Sequence, residues 1–147
     1  MGLFRAMDTS ASALTAQRFR MDVIAHNIAN INTTRTAEGG PYRRKVTTQA
    51  ERRMTFQDIL DRAAGRPVPP VGAGVVITSV SEDPSPFRLQ YDPGHPDADE
   101  NGYVQMPNVD LLQELTDLMV ATRIYEANVT AFNASKAMAQ RALEIGR

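Results

Sequence analysis

The sequence has no cysteine and no tryptophan, and only two of its 147 residues are histidine. The absence of cysteine excludes disulfide bonds, Cys-ligated zinc sites and thiol catalysis. No apolar run approaches the roughly 20 residues that a membrane-spanning helix needs, so the sequence predicts no direct membrane span. The formal net charge of −1 gives the chain no overall basic field for binding nucleic acid. The start of the chain lacks a basic segment followed by a continuous apolar one, so no cleavable signal peptide is predicted.

The longest regular pattern lies in the last forty residues, where no Pro or Gly occurs between Asn108 and Gly146. Apolar side chains recur there in alternating steps of four and three, interrupted only by Thr122 and Lys136. They are Leu111, Leu115, Leu118, Tyr125, Val129, Phe132, Ala139 and Leu143. A period of 3.5 is typical of a helix that packs lengthwise against another helix. At about 1.5 Å per residue the helix extends roughly 50–55 Å, which predicts a long partner.

Residues 3–31 repeat this pattern and supply that partner. Nine positions follow the same alternating steps, and seven of them are apolar: Leu3, Met7, Ser10, Leu14, Gln17, Met21, Ile24, Ile28 and Ile31. We therefore predict that the N- and C-terminal helices pair as a coiled coil. We refer to each of these two apolar rows as a seam. The chain between the helices is too short and polar to cover seams of this length, so an apolar face left over needs other subunits or stays frayed in the monomer.

An asparagine-rich run, residues 27–34, follows the N-terminal pattern. Asparagine tolerates the left-handed backbone that closes helices, and its amide bonds to freed backbone groups. From physics alone, a plain helix C-cap is the favoured interpretation of Asn27, Asn30 and Asn32. His26, just before this run, has no acidic or serine partner in the sequence, which favours a structural role.

The middle of the chain has the composition of short strands. Three stretches read as strands, namely residues 42–48, 75–80 and 87–91, and the last two are predicted to form a hairpin across Asp83-Pro-Ser-Pro. Residues 55–64 favour a short helix capped by Thr55. Either Asn108 or Asp110 is predicted to cap the final helix.

These elements predict an α+β fold with long terminal helices and a small β-hairpin-rich middle region. The predicted division has two parts. Residues 1–34 and 107–147 form a terminal helical, coiled-coil domain, and residues 35–106 form a β-rich outer region with loops.

Charge is unevenly distributed within the middle. Residues 35–66 hold eight Lys or Arg against four Asp or Glu, a net of +4. Residues 82–101 hold six acidic residues against Arg88, a net of −5. The two segments therefore suggest complementary faces that meet either within one subunit or between neighbours.

Few residues suggest catalysis. His95, Asp97, Asp99 and Glu100 place oxygen and nitrogen atoms in one loop, which raises the alternative of a metal-dependent hydrolase that uses His95 and Asp97. The spacing lacks the EF-hand pattern, and Pro93 and Pro96 favour a rigid polar loop without an ion. The chain has no nucleotide-binding or nucleophile motif. We predict no enzyme activity, no metal and no cofactor.

The basic run Arg43-Arg44-Lys45, with Tyr42, raises a second alternative, a nucleic-acid-binding module. The acidic loop opposes it, and we predict no nucleic-acid partner.

Two segments carry a family resemblance. The run Met21–Thr34 contains Asn-Ile-Ala-Asn-Ile-Asn-Thr, which resembles the signature of bacterial flagellar rod and hook proteins. Tyr125-Glu-Ala-Asn and the closing Ala-Leu-Glu-Ile-Gly resemble the terminal motif of that family. The motif residues are Asn27, Asn30, Asn32, Tyr125, Glu126 and Asn128. Strings in residues 32–45, 82–87 and 92–99 are similar to the proximal-rod branch of the family, and residues 51–74 are the least similar.

This resemblance implies a structural subunit of the flagellar basal body, in the proximal rod. Such subunits form a helical tube that transmits torque across the periplasm and serves motility. They are exported by the flagellar type III system without a cleaved signal. The implied partners are further copies of the chain, the rod subunits FlgB, FlgF and FlgG, the FliE adaptor and the export gate. Another rod subunit such as FlgB is the alternative within the family.

Overall fold

Two long helices stand at either end of the chain, with short strands and one short helix between them. A computed structural model describes residues 2–53, 56–66 and 74–145. In chain order the elements are α1 (Gly2–Ala29), β1 (Lys45–Glu51), α2 (Phe56–Ala63), β2 (Val75–Glu82), β3 (Arg88–Tyr91), β4 (Tyr103–Met106) and α3 (Leu111–Ile145). The predicted α+β class is confirmed. Thr55, the predicted cap of α2, lies outside the described residues.

The asparagine run ends α1 as the sequence predicts. The last helical residue is Ala29. The Asn30 side chain then donates from Nδ2 to the main-chain oxygen of His26 at 2.9 Å. Because the last carbonyls of a helix have no partner within it, this amide satisfies one of them.

Asp110 is the residue that caps α3. Its Oδ1 accepts hydrogen bonds from the backbone nitrogens of Leu112 at 2.8 Å and Gln113 at 3.1 Å. These are two of the N–H groups that a helix start leaves unpaired, so an Asp immediately before the first turn stabilises it. Asn108, the other candidate, binds elsewhere.

The predicted hairpin between the second and third strands is wrong. β2 pairs with β1, and β3 pairs with β4. The β3–β4 pair is antiparallel, with Leu89 opposite Gln105 and Tyr91 opposite Tyr103. Two prolines, at 84 and 86, lie in the segment that was expected to turn β2 back on itself. Other contacts hold that segment: Asp83 N donates to Arg44 O at 2.8 Å, and Asn108 Nδ2 donates to the main-chain oxygens of Asp83 at 3.1 Å and Ser85 at 3.2 Å.

The described chain divides into two compact units. The first unit comprises Met1–Arg18, Gln49–Thr78 and Thr122–Arg147, and the second comprises Phe19–Thr48 and Ser79–Ala121. Each unit therefore holds part of both long helices and part of the middle. The predicted division into a terminal helical domain and an outer region stays a prediction.

In the first unit, the N-terminal half of α1 anchors the chain at the start of β2. Ser12 Oγ accepts a hydrogen bond from Val75 N at 3.1 Å and donates to Thr9 O at 2.7 Å. Arg52 pairs with Asp8 on the same helix at 2.7 Å. The middle region is thus tied to α1 by both a backbone contact and an ion pair.

In the second unit, the end of α1 lies against the start of α3. Asn27 contacts Glu114, while Arg20, two turns earlier in α1, pairs with Asp117 at 3.2 Å. Later residues of α1 meet earlier residues of α3, so these segments run antiparallel. The apolar residues buried in this unit include Ile24, Tyr42, Val104, Pro107, Val109 and Ala121. Within the part of the chain that is described, no helix has the length and apolarity to span a membrane.

Candidate assembly site

Asn27 lies at the centre of a group of buried polar side chains in the second unit. Its Nδ2 donates to Lys45 O at 2.9 Å and to Glu114 Oε2 at 3.1 Å. Its Oδ1 accepts from Tyr42 OH at 2.9 Å and from Lys45 N at 3.0 Å. An asparagine amide offers two donor hydrogens and two acceptor lone pairs, and all four are used. The side chain is almost fully buried, at 1% exposure.

Arg44 brings a positive charge to the same group. Its Nε donates to Glu114 Oε1 at 2.6 Å, and its guanidinium also lies 3.4 Å from Asp117 and 3.5 Å from Asp83. Glu114 is completely buried, and a buried carboxylate is tolerated only when it is paired and hydrogen-bonded. Burial alone lowers the pKa of Arg44, but the bond to Glu114 and the charges of Glu114 and Asp117 outweigh it and raise that pKa.

Asn108 connects this group to the chain before and after it. Its Oδ1 accepts from Arg44 N at 2.8 Å. Its Nδ2 donates to Asp83 O at 3.1 Å and to Ser85 O at 3.2 Å. We refer to Asn27, Tyr42, Arg44, Asn108 and Glu114 as the buried polar cluster. It joins the end of α1, the start of β1, the chain after β2 and the start of α3.

Besides Arg44, two ionisable groups in and beside the buried polar cluster have shifted pKa values. Burial raises the pKa of the Tyr42 hydroxyl, and the negative charges of Glu114 and Glu82 raise it further. The hydrogen bonds from the Ser85 hydroxyl and backbone lower the pKa of Asp83, and Arg44 lowers it further. Both shifts favour the state in which the cluster is bonded, a neutral tyrosine and an ionised aspartate.

The basic and acidic segments meet within one chain, in the second unit. Besides the Arg44 contacts, Arg35 pairs with Asp97 and Thr34 Oγ1 donates to Asp97 Oδ2 at 2.9 Å. Arg43 lies over the Phe87 ring, 4.3 Å from its centroid, and donates to a main-chain oxygen. The arginines of the predicted nucleic-acid alternative are therefore engaged inside their own chain.

The His95 loop has the contacts of a structural turn. His95 Nδ1 accepts a hydrogen bond from Asp97 N at 3.1 Å. Asp99 Oδ1 accepts from the backbone nitrogens of Asn101 at 2.9 Å and Tyr103 at 2.8 Å. Among residues 2–53, 56–66 and 74–145, no three His, Asp or Glu side chains are placed to hold a metal ion. The geometry gives the hydrolase alternative no support.

The six family-motif residues occupy different environments. Asn27 is the hub of the buried polar cluster, Asn30 closes α1, and Asn32 is exposed. On α3, Tyr125 and Asn128 are half-buried, and Asn128 Nδ2 donates to Ile124 O of its own helix at 2.8 Å. Glu126 is exposed and pairs with Arg123 at 3.2 Å. The C-cap interpretation therefore fits Asn30 and does not describe Asn27.

The seam positions of α1 are shielded wherever their side chains are described. Ile24 is buried, at 5% exposure. Four further seam residues are half-buried: Met7, Leu14, Met21 and Ile28. The side chain of Leu3 lies outside the described residues. This face of α1 is thus largely covered within the single chain.

The seam positions of α3 divide into two groups. Those that are half-buried are Leu118, Tyr125, Val129, Phe132 and Ala139. Three others remain exposed in the single chain: Leu111 at 48%, Leu115 at 42% and Leu143 at 74%. A large part of the apolar surface on α3 is therefore uncovered.

A second row with the same period is the most shielded face of α3. It runs through Glu114, Leu118, Ala121, Tyr125, Asn128, Phe132, Ser135 and Ala139. It shares every seventh residue with the predicted seam but passes through small side chains at 121 and 135 instead of Thr122 and Lys136. Small residues at these positions permit close approach of another backbone. The seam was predicted from large apolar side chains, and these lie in the neighbouring row.

Sequence reasoning did not identify Tyr42, Arg44, Asn108 or Glu114 as members of one site. One residue in the sequence pointed to this site. Glu114 is a charged side chain in the shielded row of α3 that also contains Ala121 and Ser135. A charge in such a row is expected only if a partner pairs with it, and its partner Arg44 lies 70 residues away.

Comparison with known proteins identifies the family. The family described as "Flagella basal body rod protein" matches residues 7–35, and "Flagellar basal body rod FlgEFG protein C-terminal" matches residues 100–145. The flagellar basal-body rod protein FlgC of Bacillus subtilis (strain 168) is 49% identical, with 100% of both chains covered. The chain belongs to the flagellar basal-body rod protein family. The FlgC proteins of Borreliella burgdorferi, at 44% identity, and Salmonella typhimurium, at 40%, also align over at least 98% of each chain.

Membership of the rod family establishes a structural subunit of the flagellar basal body that assembles with other rod subunits. Full-length similarity to proteins named FlgC makes this a FlgC-like rod protein and does not favour the FlgB alternative. The matched segments contain most of α1 and all of α3, which are also helices that the buried polar cluster connects.

Proposed function

We propose that this rod protein packs its long helices side by side with those of neighbouring subunits to form the wall of a helical tube. The tube crosses the periplasm and transmits torque. The observation that carries this proposal is the row of exposed apolar side chains along the start of α3. In the single chain Leu111, Leu112, Leu115 and Met119 are 48%, 76%, 42% and 63% exposed.

Exposing this apolar face to water in the single chain is unfavourable, and burying it against neighbouring subunits is favourable. Each large apolar side chain gains about 1.5–3 kcal/mol when it passes from water into a packed interface. A contiguous exposed apolar face of this kind is typical of a protein interaction surface. A shaft that bears torque needs many such lateral contacts, because the load is then shared among them.

The buried polar cluster gives this face a fixed orientation. Glu114 lies one residue before Leu115 and points into the cluster, where Arg44 and Asn27 hold it. Leu112 and Met119 lie about 140–160° around the helix from Glu114 and are therefore directed outward. We propose that the cluster positions the start of α3 for assembly and takes no part in the contacts between subunits.

The remaining assignments extend the same proposal. The seam residues of α1 and α3 form the assembled core, with residues 1–34 and 107–147 lining the tube and residues 35–106 facing outward. Neighbouring subunits are copies of this chain, FlgB, FlgF and FlgG, with FliE as the adaptor at the export gate. The chain reaches its site through the flagellar type III system without a cleaved signal, and it has no catalytic activity.

The proposal is tested by Leu115→Asp, with Gln113→Asp as the matched control. Both positions are exposed on α3, so neither substitution should disturb the isolated chain, and circular dichroism should give both variants the wild-type melting temperature. In a deletion strain, we expect Leu115→Asp to abolish motility and rod assembly because it places a charge in an apolar interface. Gln113→Asp should restore both.

The readouts are swimming in soft agar and electron microscopy of purified basal bodies, at matched protein levels. Wild-type motility and complete rods from Leu115→Asp would contradict the proposed interface. Equal loss in both variants would contradict it as well, since the apolar face would then have no special role.

A further inference from the structure

The side chain of His26 faces two groups that compete for one nitrogen atom. Its Nδ1 lies 3.2 Å from the Tyr42 hydroxyl oxygen and 3.2 Å from Asn30 Nδ2. His26 is exposed, near the end of α1. The contact with Tyr42 requires a hydrogen on Nδ1, whereas the contact with Asn30 requires a free lone pair there, as the hydrogen bonds of the two neighbours show.

Tyr42 requires a hydrogen on His26 Nδ1. The orientation of the Asn27 amide is fixed because Lys45 N donates to its Oδ1 while its Nδ2 donates to Lys45 O. The Tyr42 hydroxyl lies 2.9 Å from that Oδ1 and must use its single hydrogen there. Its oxygen is then left as an acceptor. A hydrogen bond between His26 and Tyr42 therefore exists only when His26 Nδ1 is the donor.

Asn30 requires the opposite state. Its Nδ2 donates to His26 O at 2.9 Å, and its Oδ1 accepts from Thr33 Oγ1 at 3.2 Å. This orientation presents an N–H to the imidazole ring, so a bond forms only when His26 Nδ1 has a free lone pair. No protonation state of the ring satisfies Tyr42 and Asn30 together.

We propose that His26 is a proton-operated switch between the end of α1 and the buried polar cluster. When the ring is neutral with its hydrogen on Nε2, Nδ1 accepts from Asn30 and holds the turn after α1 against the helix. In the protonated ring, Nδ1 donates to Tyr42 and releases Asn30. The donors then point one way, from His26 to Tyr42 to Asn27 to Glu114, with a cation at one end and a carboxylate at the other. Hydrogen bonds aligned in this way strengthen one another.

Charged side chains of both signs share the cleft of His26. Besides Tyr42, the cleft that His26 lines holds two cations, Arg43 and Lys45, and two anions, Glu38 and Glu82. Lys45 Nζ lies 5.9 Å from the Tyr42 ring centroid. On α1 itself, Asp22 lies one turn earlier and is exposed. The named groups are thus two cations and three anions, and the two 3.2 Å contacts to Nδ1 are what distinguish the states of the ring.

The test compares Tyr42→Phe with Asn30→Ala in urea unfolding of the full chain at pH 5 and pH 8. Tyr42→Phe removes the acceptor of protonated His26, so its folded-to-unfolded ratio should fall about fivefold further at pH 5 than at pH 8. Asn30→Ala removes the donor to neutral His26, so its additional loss should appear at pH 8. Both pH differences should vanish in a His26→Gln background.

Nitrogen-15 chemical shifts of the His26 ring in the wild-type chain give a second readout that does not depend on how the variants fold. We expect an unprotonated Nδ1 at pH 8 and a protonated Nδ1 at pH 5. A protonated Nδ1 at both pH values, or pH effects of the same sign in the two variants, would overturn the switch.

Discussion

A single amide, that of Asn27, holds together segments that are far apart in the chain. Its four hydrogen bonds reach Tyr42, both backbone groups of Lys45 and the carboxylate of Glu114. No other residue type supplies two donors and two acceptors of this shape in so small a volume. Asn32, five residues later in the same motif, is exposed. The two asparagines belong to one motif, but we expect them to contribute very differently to the free energy of unfolding.

We expect Asn27→Ala to lower the free energy of unfolding by about 3 kcal/mol, because it leaves several buried polar groups without partners. Asn32→Ala, the matched control, should change it by less than about 0.5 kcal/mol. Urea denaturation followed by circular dichroism measures both. A loss below about 1 kcal/mol for Asn27→Ala would contradict the hub role.

Tyr42 predicts how stability changes in alkali. Its pKa is raised in the folded chain by burial and by Glu114 and Glu82, so the folded state keeps the hydroxyl proton at a pH where the unfolded state loses it. This contribution to stability is complete below the ordinary tyrosine pKa of about 10 and is lost as pH rises above it.

Tyr42→Phe cannot titrate at this position, so we expect its stability to depend less on pH above about 10 than that of the wild-type chain. The measurement is the urea midpoint at several pH values from neutral to alkaline. Identical slopes for the two proteins in the alkaline range would rule out the coupling.

At the scale of elements, the contact between α1 and the start of β2 depends on Gly74. Its φ of +111° is a conformation that side chains disfavour. A Cβ built on Gly74 would lie 2.2 Å from Ser12 Oγ and 3.1 Å from Ser12 Cβ. Gly74 thus lets the backbone approach the helix closely enough for the bond from Val75 to Ser12 to form.

Gly74→Ala should therefore cost about 2 kcal/mol more than Gly40→Ala. Gly40 also has a positive φ, +81°, but no heavy atom lies within 4 Å of its Cβ position. Its substitution therefore measures the cost of backbone strain without a steric clash. Thermal unfolding of the two variants gives the comparison. Equal destabilisation would mean that backbone strain alone accounts for the effect.

The sequence predicted elements better than it predicted their partners. The period of α1 and α3, the asparagine run at the end of α1 and the cap at Asp110 are local signals, and each has a local physical cause. The partner of β2 could not be predicted in this way, because residues 45–51 are distant in sequence and the turn signal of Asp83-Pro-Ser-Pro favoured the nearer strand. The Arg44–Glu114 pair was invisible for the same reason, since each residue alone resembles a solvated charge.

At the scale of the whole molecule, the two units differ in how completely their buried polar groups are satisfied. Within the described residues, three buried side-chain atoms lack a hydrogen-bond partner, on Gln17, Gln49 and Arg52, and all three belong to the first unit. An unpartnered buried polar atom costs about 1–3 kcal/mol. The first unit should therefore open more readily than the second.

Amide hydrogen exchange of the monomer tests this difference along a single helix. We expect the amides of residues 19–29 of α1 to be protected more strongly than those of residues 4–15, because local opening costs less where buried groups are unsatisfied. Peptide-level mass spectrometry resolves the two segments. Strong, uniform protection across residues 3–30 would contradict the prediction.

The bonds of Asn108, Glu114 and Asp117 have a mechanical consequence. These three residues, within ten positions at the start of α3, are tied to Arg44, Asn27, Arg20 and the backbone after β2. Because these partners belong to α1, to the start of β1 and to the chain after β2, displacing the start of α3 along its axis would stretch several contacts at once. The start of α3 is thus built to resist axial slip, and its rupture force should be that of the whole group of contacts.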